Sequence, residues 1–217
     1  MPVRALGVLV LVLTLGCTVE SDDGVGHLDI QSGVGQELGL QPNLAGCTEP
    51  GAVYSGTVNI RDSADLDELA NYCEIEGDLI FSAEEIDGFE FSSLRRISGS
   101  LSLVGNPQLS VVSLPALVRV GGSLEVEGNP QLGELGMPSL EFVGVDLEIS
   151  ENAVLAQVDL SSLIEIGEHF RVLNNGALED LSLPALGTAG GNVRVSGGHF
   201  SLTRIAFPVL SSVVGVV

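Results

Sequence analysis

Few residues in this 217-residue chain are of the kinds that carry out chemistry. The sequence has 29 carboxylates but only three cysteines, three histidines and eight arginines, and it has no lysine. The histidines, His27, His169 and His199, occupy unrelated positions, so they predict neither a catalytic set nor a shared metal site. Carboxylates are so common here that pairs of them are weak evidence for hydrolysis. We therefore expect a protein that is not an enzyme and holds no metal or cofactor.

The composition excludes one class of partner and favours a folded domain. The net charge is −21, and nucleic acid is excluded because neutralising its phosphates needs clustered cations. Hydrophobic residues make up 45% of the chain, with a mean hydropathy of +0.41, which is not the composition of a disordered acidic tail. Aromatic residues are only 4%, so the core of this acidic protein must be aliphatic.

Cys17 has the clearest predicted chemistry. It follows Arg4 and an apolar run, residues 5–15, that is shorter than the roughly 20 residues of a spanning helix. Residues 13–17 resemble a bacterial lipobox, although Thr14 stands where leucine is usual; ordinary cleavage after Gly16 is the alternative. We predict a signal peptide over residues 1–16 and an exported lipoprotein, anchored through Cys17 to the outer membrane or cell surface. A secreted soluble form is the competing interpretation.

The other two cysteines predict a disulfide bond. Residues 17–45 are rich in Gly, Ser, Asp and Gln without a regular period, so we interpret them as a flexible tether before a domain over 46–217. If Cys17 is lipidated, Cys47 and Cys73 remain as an even pair in an exported chain, which predicts one disulfide between them. A metal site at these two cysteines is the less favoured interpretation, because no histidine lies near them in the sequence.

Apolar residues recur about every 23 residues from Gly99 onwards. Such a period predicts a solenoid. Alternation of apolar and polar residues predicts short strands that stack about 4.8 Å apart in a parallel sheet, with the apolar side chains inward. The first apolar column consists of Leu101, Leu124, Leu147, Phe170 and Val193.

A column of asparagines keeps the same period. It predicts a hydrogen-bonded amide ladder at a turn, with a structural role rather than a binding role. The column consists of Asn106, Asn129, Asn152 and Asn175, and it is broken by Gly198.

The residues that point outward from the same strands form a mixed stripe of charged and apolar side chains. We name this predicted surface the candidate binding face. A solvated sheet surface is its simplest interpretation, and a recognition surface is the second. It consists of Val104, Glu125, Glu127, Glu148, Arg171, Leu173 and Arg194.

The two ends of the repeat differ. Residues 62–70 predict a short helix that covers the first coil, and residues 62–90 contain eleven acids and no basic residue. We interpret this acidic segment as a solubilising cap rather than a Ca²⁺ site, because no EF-hand spacing is present. The last coil has no such cover, which predicts either weak self-association through the C-terminal coil or a longer protein. Its exposed core positions would be Ile205, Phe207, Leu210 and Val213.

This arrangement resembles the receptor L-domain family, which includes the L domains of the insulin and epidermal growth factor receptors. The resemblance covers about residues 46–217 and rests on Cys47, the strand at 56–60, the helix ending near Cys73, and the Gly-x-Leu-x-Val coils. It implies a short right-handed parallel β-solenoid, leucine-rich-repeat-like and all-β, with an N-terminal capping helix and a Cys47–Cys73 disulfide beside it. The absence of cysteines after Cys73 departs from the family.

Two functions follow as expectations. The first is a lipid-anchored extracellular binding module for a protein or glycan, which is what the resemblance implies. The alternative is a structural envelope protein, whose solenoid serves as a self-assembling spacer.

Overall fold

The computed structural model describes residues 53–198 and 201–213, and nearly all of their regular structure is short β-strand. The predicted signal peptide and tether, with Cys17 and His27, lie outside the described residues, as do Cys47 and His199.

One helix and twenty-one strands make up the described part of the chain. In chain order they are β1 (Val53–Ser55), β2 (Val58–Ile60), α1 (Ser63–Leu69), β3 (Glu74–Glu76), β4 (Leu79–Phe81), β5 (Gly88–Glu90), β6 (Arg96–Ile97), β7 (Leu101–Val104), β8 (Val111–Ser113), β9 (Arg119–Val120), β10 (Leu124–Glu127), β11 (Glu134–Gly136), β12 (Phe142–Val143), β13 (Leu147–Ser150), β14 (Gln157–Asp159), β15 (Glu165–Ile166), β16 (Phe170–Leu173), β17 (Asp180–Ser182), β18 (Thr188–Ala189), β19 (Val193–Ser196), β20 (Arg204–Ala206) and β21 (Ser212–Val213).

The strands stack into parallel sheets that the chain visits in turn, once per coil. The first sheet has eight strands, in the order β1-β3-β6-β9-β12-β15-β18-β21, and the second has seven, in the order β2-β4-β7-β10-β13-β16-β19. The third side consists of a four-stranded sheet, β5-β8-β11-β14, and a separate pair, β17-β20. Leu124 pairs with Leu101 on one side and Leu147 on the other, each 23 residues away. The predicted all-β solenoid of about 23 residues per coil is therefore confirmed, with about seven coils.

Aliphatic columns fill the interior of the solenoid. Leu101, Leu124, Leu147 and Phe170 pair in register along the second sheet, and each is fully buried. The columns of the other two sides behave in the same way through the middle coils, except at Val158 on the third side. Burying a leucine or phenylalanine side chain contributes about 1.5–3 kcal/mol, so each coil adds several such contributions to the stability of its neighbours.

Helix α1 takes the place in the first coil that a third-side strand occupies in later coils. Asp62 precedes it, and its side chain accepts hydrogen bonds from the backbone N–H groups of Ala64 (2.9 Å) and Asp65 (3.1 Å). These are the orphan donors that an N-cap residue satisfies. Leu69 is buried in the core and Leu66 packs partly against it, so the apolar side of this short helix faces the solenoid.

The third side contains a break that the sequence did not predict. Strands β14 and β17 lie in adjacent coils but form no ladder, and the pairing resumes only between β17 and β20. Val158, in β14, is only partly buried, whereas Leu135 before it and Leu181 after it are almost completely buried. The break therefore opens a shallow groove on this side of the solenoid.

Candidate functional site

The second sheet brings all residues of the candidate binding face to one side of the molecule. In β7, β10, β13 and β16 the first and third residues are buried, and in β19 they are partly buried, so the second and fourth positions point outward. The register aligns these outward positions across the strands, which gives two parallel rows of side chains. One row contains Ser102, Glu125, Glu148, Arg171 and Arg194, and the other contains Val104, Glu127, Ser150, Leu173 and Ser196.

The two rows are not equally open to solvent. Val104, Glu125, Glu127 and Arg194 are exposed, whereas Glu148, Arg171 and Leu173 are half-buried. Ser150, in the middle of the second row, is 3% exposed, and its hydroxyl donates to the Glu148 carboxylate at 3.2 Å. A ligand would therefore meet two exposed regions, one around Val104 and one around Arg194, with half-buried side chains between them.

Arg171 is held in place by two carboxylates. Its Nη1 lies 3.1 Å from Oδ2 of Asp146 and 3.5 Å from Oε2 of Glu148. Half-exposed ion pairs of this kind contribute about 0–1 kcal/mol each, so the network fixes geometry more than stability. Two carboxylates face the one guanidinium of Arg171, so this cluster keeps one formal negative charge. The face offers a ligand that charge together with those of Glu125, Glu127 and Arg194.

Asp146, Glu168 and His169 lie close enough to suggest a metal site, with one ligand atom of each within 4.8 Å of the others. Asp146, however, accepts hydrogen bonds from the His169 backbone (2.9 Å) and from Arg171 (3.1 Å). Nδ1 of His169 accepts from the backbone N–H of Asn192 at 2.9 Å, so the ring hydrogen sits on Nε2. A cation would have to displace these partners. The cluster joins neighbouring coils and is a poor metal site.

The asparagine column forms a buried ladder at the turn after the second sheet. The backbone N–H of Asn106, Asn129 and Asn152 each donates to the side-chain oxygen of the next asparagine, at 2.9–3.1 Å. The side-chain amide of Asn129 donates to Leu103 O at 2.8 Å, and those of Asn152 and Asn175 bond equivalent carbonyls. All four asparagines are fully buried, so this ladder presents nothing to a ligand.

A second group of charged residues, not predicted from the sequence, lies on the first sheet. Arg96 forms an ion pair with Glu74 at 3.3 Å, and the guanidinium of Arg119 lies 3.8 Å from the ring centroid of Phe142. Burial and the neighbouring Arg96 lower the pKa of Arg119, while Glu165 opposes this shift. The 23-residue spacing of Arg119 and Phe142 could have indicated the contact. The stacking is worth about 0.5–1 kcal/mol at such a site and ties adjacent strands together.

The groove beside the β14–β17 break is the other notable surface feature. Its volume is about 360 Å³, and its polar lining residues include Glu134, Gln157, Asp159, Asp180 and Ser182. Asp180 already pairs with Arg204 at 3.2 Å. The lining contains no histidine, cysteine or basic residue, so it provides carboxylates without a partner for acid–base or nucleophilic chemistry.

Comparison of the chain with protein-family models, with curated proteins and with solved structures found no match. Within residues 53–198 and 201–213, no helix has both the length and the apolar character needed to cross a membrane.

Proposed function

We propose that this protein is a non-enzymatic binding module of the cell envelope, which recognises an extracellular protein or glycan through the candidate binding face. The observation that carries the proposal is the second sheet. Its outward rows align mixed charged and apolar side chains over several coils, and solenoids use such extended surfaces for binding. Val104, 42% exposed at one edge of this surface, is an apolar contact point in otherwise polar surroundings.

The proposal includes the finer features of a receptor L-domain. A right-handed coil is expected because parallel strands joined through a crossover are right-handed in about 98% of cases. Helix α1 would act as the cap of the first coil, and its buried Leu69 supports this role. Kinship with the receptor L-domain family rests on these features and on the coil sequences, and it remains a proposal.

Anchoring and the disulfide are parts of the same proposal. We expect Cys17 to carry lipid, and a Cys17→Ser variant that stays in the membrane fraction would contradict this. We expect Cys47 to pair with Cys73, which is 5% exposed and directly precedes β3. Closing that loop would add about 3.5 kcal/mol in the chain-entropy account. Non-reducing peptide mapping that recovers both cysteines as free thiols would reject the pairing.

Binding itself is tested with the purified chain on a glycan array and against a panel of displayed extracellular proteins. We expect specific binding to a small set of probes from one of these two classes. A Val104→Asp variant should weaken that binding at least tenfold, because it puts a charge into the proposed apolar contact. Val154→Asp is the matched control: Val154 is 44% exposed but lies outside the face, and its variant should bind as the original protein does.

Two results would overturn the proposal. One is the absence of specific binding in both arrays at micromolar concentrations. The other is equal binding by the Val104→Asp and Val154→Asp variants, which would place the contact elsewhere on the molecule.

A further inference from the structure

The last coil exposes positions that the preceding coils bury. Ile205 pairs with Leu181, and their exposures are 51% and 1%. Val193 and Val195 of β19 continue the columns of Phe170 and Val172, yet they are only partly buried. Within the described residues, nothing covers this apolar end.

The same end carries unpaired strand edges. Strands β19 and β21 are the outermost members of the second and first sheets, and β20 is the outer strand of the third-side pair. Among the described residues, each has a strand neighbour on one side only. Such edges are templates for pairing with another chain, and proteins normally protect them.

Position 209 adds a second apolar contact at this end. The preceding coils place alanine or serine at the equivalent position, in Ala116, Ser139, Ser162 and Ala185, all partly buried. The last coil has Val209 there, and it is 52% exposed. A larger apolar side chain thus occupies this position in the last described coil.

Charge is strongly segregated along the solenoid. Residues 62–90, at the first two coils, contain eleven acids and no basic residue. After Asp180 the sequence contains no acid at all, and the last coil carries two exposed arginines, Arg194 and Arg204, of which Arg204 is paired with Asp180 at 3.2 Å. One end of the domain is therefore acidic, and the opposite end is apolar and carries few charges.

We infer that a second copy of this chain occupies the C-terminal end, and that copies stack head to tail. The acidic first coils of one copy would lie against the apolar, arginine-bearing last coil of the next. Pairing of two C-terminal ends is disfavoured because it would place Arg194 against its own copy and leave the acidic first coils without a partner. A head-to-tail contact repeats without closing, so it predicts chains rather than a dimer. Arg194 also belongs to the candidate binding face, but Ile205 and Val209 lie outside it, so failure of the proposed function would leave this inference standing.

Sedimentation of the full chain in a non-ionic detergent tests the inference. We expect a concentration-dependent series that extends beyond the dimer and shortens as salt screens the charges. Ile205→Asp should weaken association at least tenfold. Ile164→Asp is the matched control, since Ile164 is 49% exposed on a middle coil, and it should change association less than twofold.

Two further experiments establish the orientation of the contact between copies. They also keep the inference testable if one variant fails to fold. The Ile205→Asp chain keeps its acidic end, so a small fraction of it added to the original protein should terminate stacks and shorten them. Replacing Arg194 alone with glutamate should weaken stacking as well, while leaving the apolar contacts and the Arg204–Asp180 ion pair in place.

Three outcomes would overturn the inference. A series that stops at the dimer would indicate pairing between like ends. A monomer at all concentrations would show that the end binds no second copy. Equal effects of the Ile205 and Ile164 variants would place any self-contact on another surface.

Discussion

Asn152 shows how one buried side chain joins three coils. Its side-chain oxygen accepts from the backbone N–H (3.0 Å) and the amide (3.2 Å) of Asn129. Its own amide donates to Val126 O at 3.0 Å and to the Asn175 side chain at 3.2 Å. Both groups of the amide are used, and the site is completely buried. Aspartate, with a charge and no amide donor, would satisfy this site poorly.

We predict that Asn152→Ala lowers the free energy of unfolding by about 2–5 kcal/mol, because it leaves several buried polar groups without partners. Asn192→Ala is the control, since Asn192 is exposed and bonds His169 through its backbone N–H; a change under about 0.5 kcal/mol is expected. Urea unfolding followed by circular dichroism measures both. Similar losses for the two variants would mean that the ladder adds no stability of its own.

Glycine sets how closely neighbouring coils approach at the corner after the first sheet. Gly121, Gly144, Gly167 and Gly190 recur in register at this corner. A Cβ built on Gly144 would collide with the carbonyl oxygen of Gly121. A Cβ built on Gly167 or Gly190 would collide with the carbonyl oxygen of the glycine one coil before it. The backbones pack so closely here that the corner has no room for a side chain.

We predict that Gly144→Ala destabilises the protein by about 1–3 kcal/mol, because the backbone must shift to relieve the overlap. Gly136→Ala is the matched control: its Cβ would lie 3.7 Å from Val112 O, an ordinary contact, so a change within about 0.5 kcal/mol is expected. Thermal unfolding of the two variants under the same conditions tests the difference. A Gly144→Ala protein that melts with the original would refute the close-packing argument.

Much of each coil could be predicted from spacing alone. The 23-residue period placed Leu124 between Leu101 and Leu147, and it put Asn129 next to Asn106. The break between β14 and β17 could not be predicted. Leu135, Val158 and Leu181 keep the apolar column unbroken, so the sequence does not mark where the pairing stops. The cluster at His169 could have been found from spacing, because Asp146 and His169 are 23 residues apart and occupy one column.

The whole molecule is a stack in which each coil contacts only its neighbours, so stability should depend on position along the stack. Middle coils are covered on both sides, and their column residues are fully buried. The last coil is covered on one side only within the described residues, and its column residues are partly open. A side chain of one type in one column should therefore contribute differently at the middle and at the end.

Leu163 and Leu210 occupy the same column, and they test this dependence directly. Leu163 is fully buried in a middle coil, whereas Leu210 is only partly buried in the last coil. We expect Leu163→Ala to cost about 2–5 kcal/mol, through lost burial and the cavity left behind. Leu210→Ala should cost under about 1.5 kcal/mol, because the Leu210 side chain is already partly exposed to water and the last coil can relax around the smaller residue. Urea unfolding at a protein concentration low enough to prevent self-association measures both values.

Native-state hydrogen exchange should also show lower protection in β19 to β21 than in β10 to β16. Equal losses in the two variants, with uniform protection along the stack, would show that the last coil is covered as completely as the middle ones.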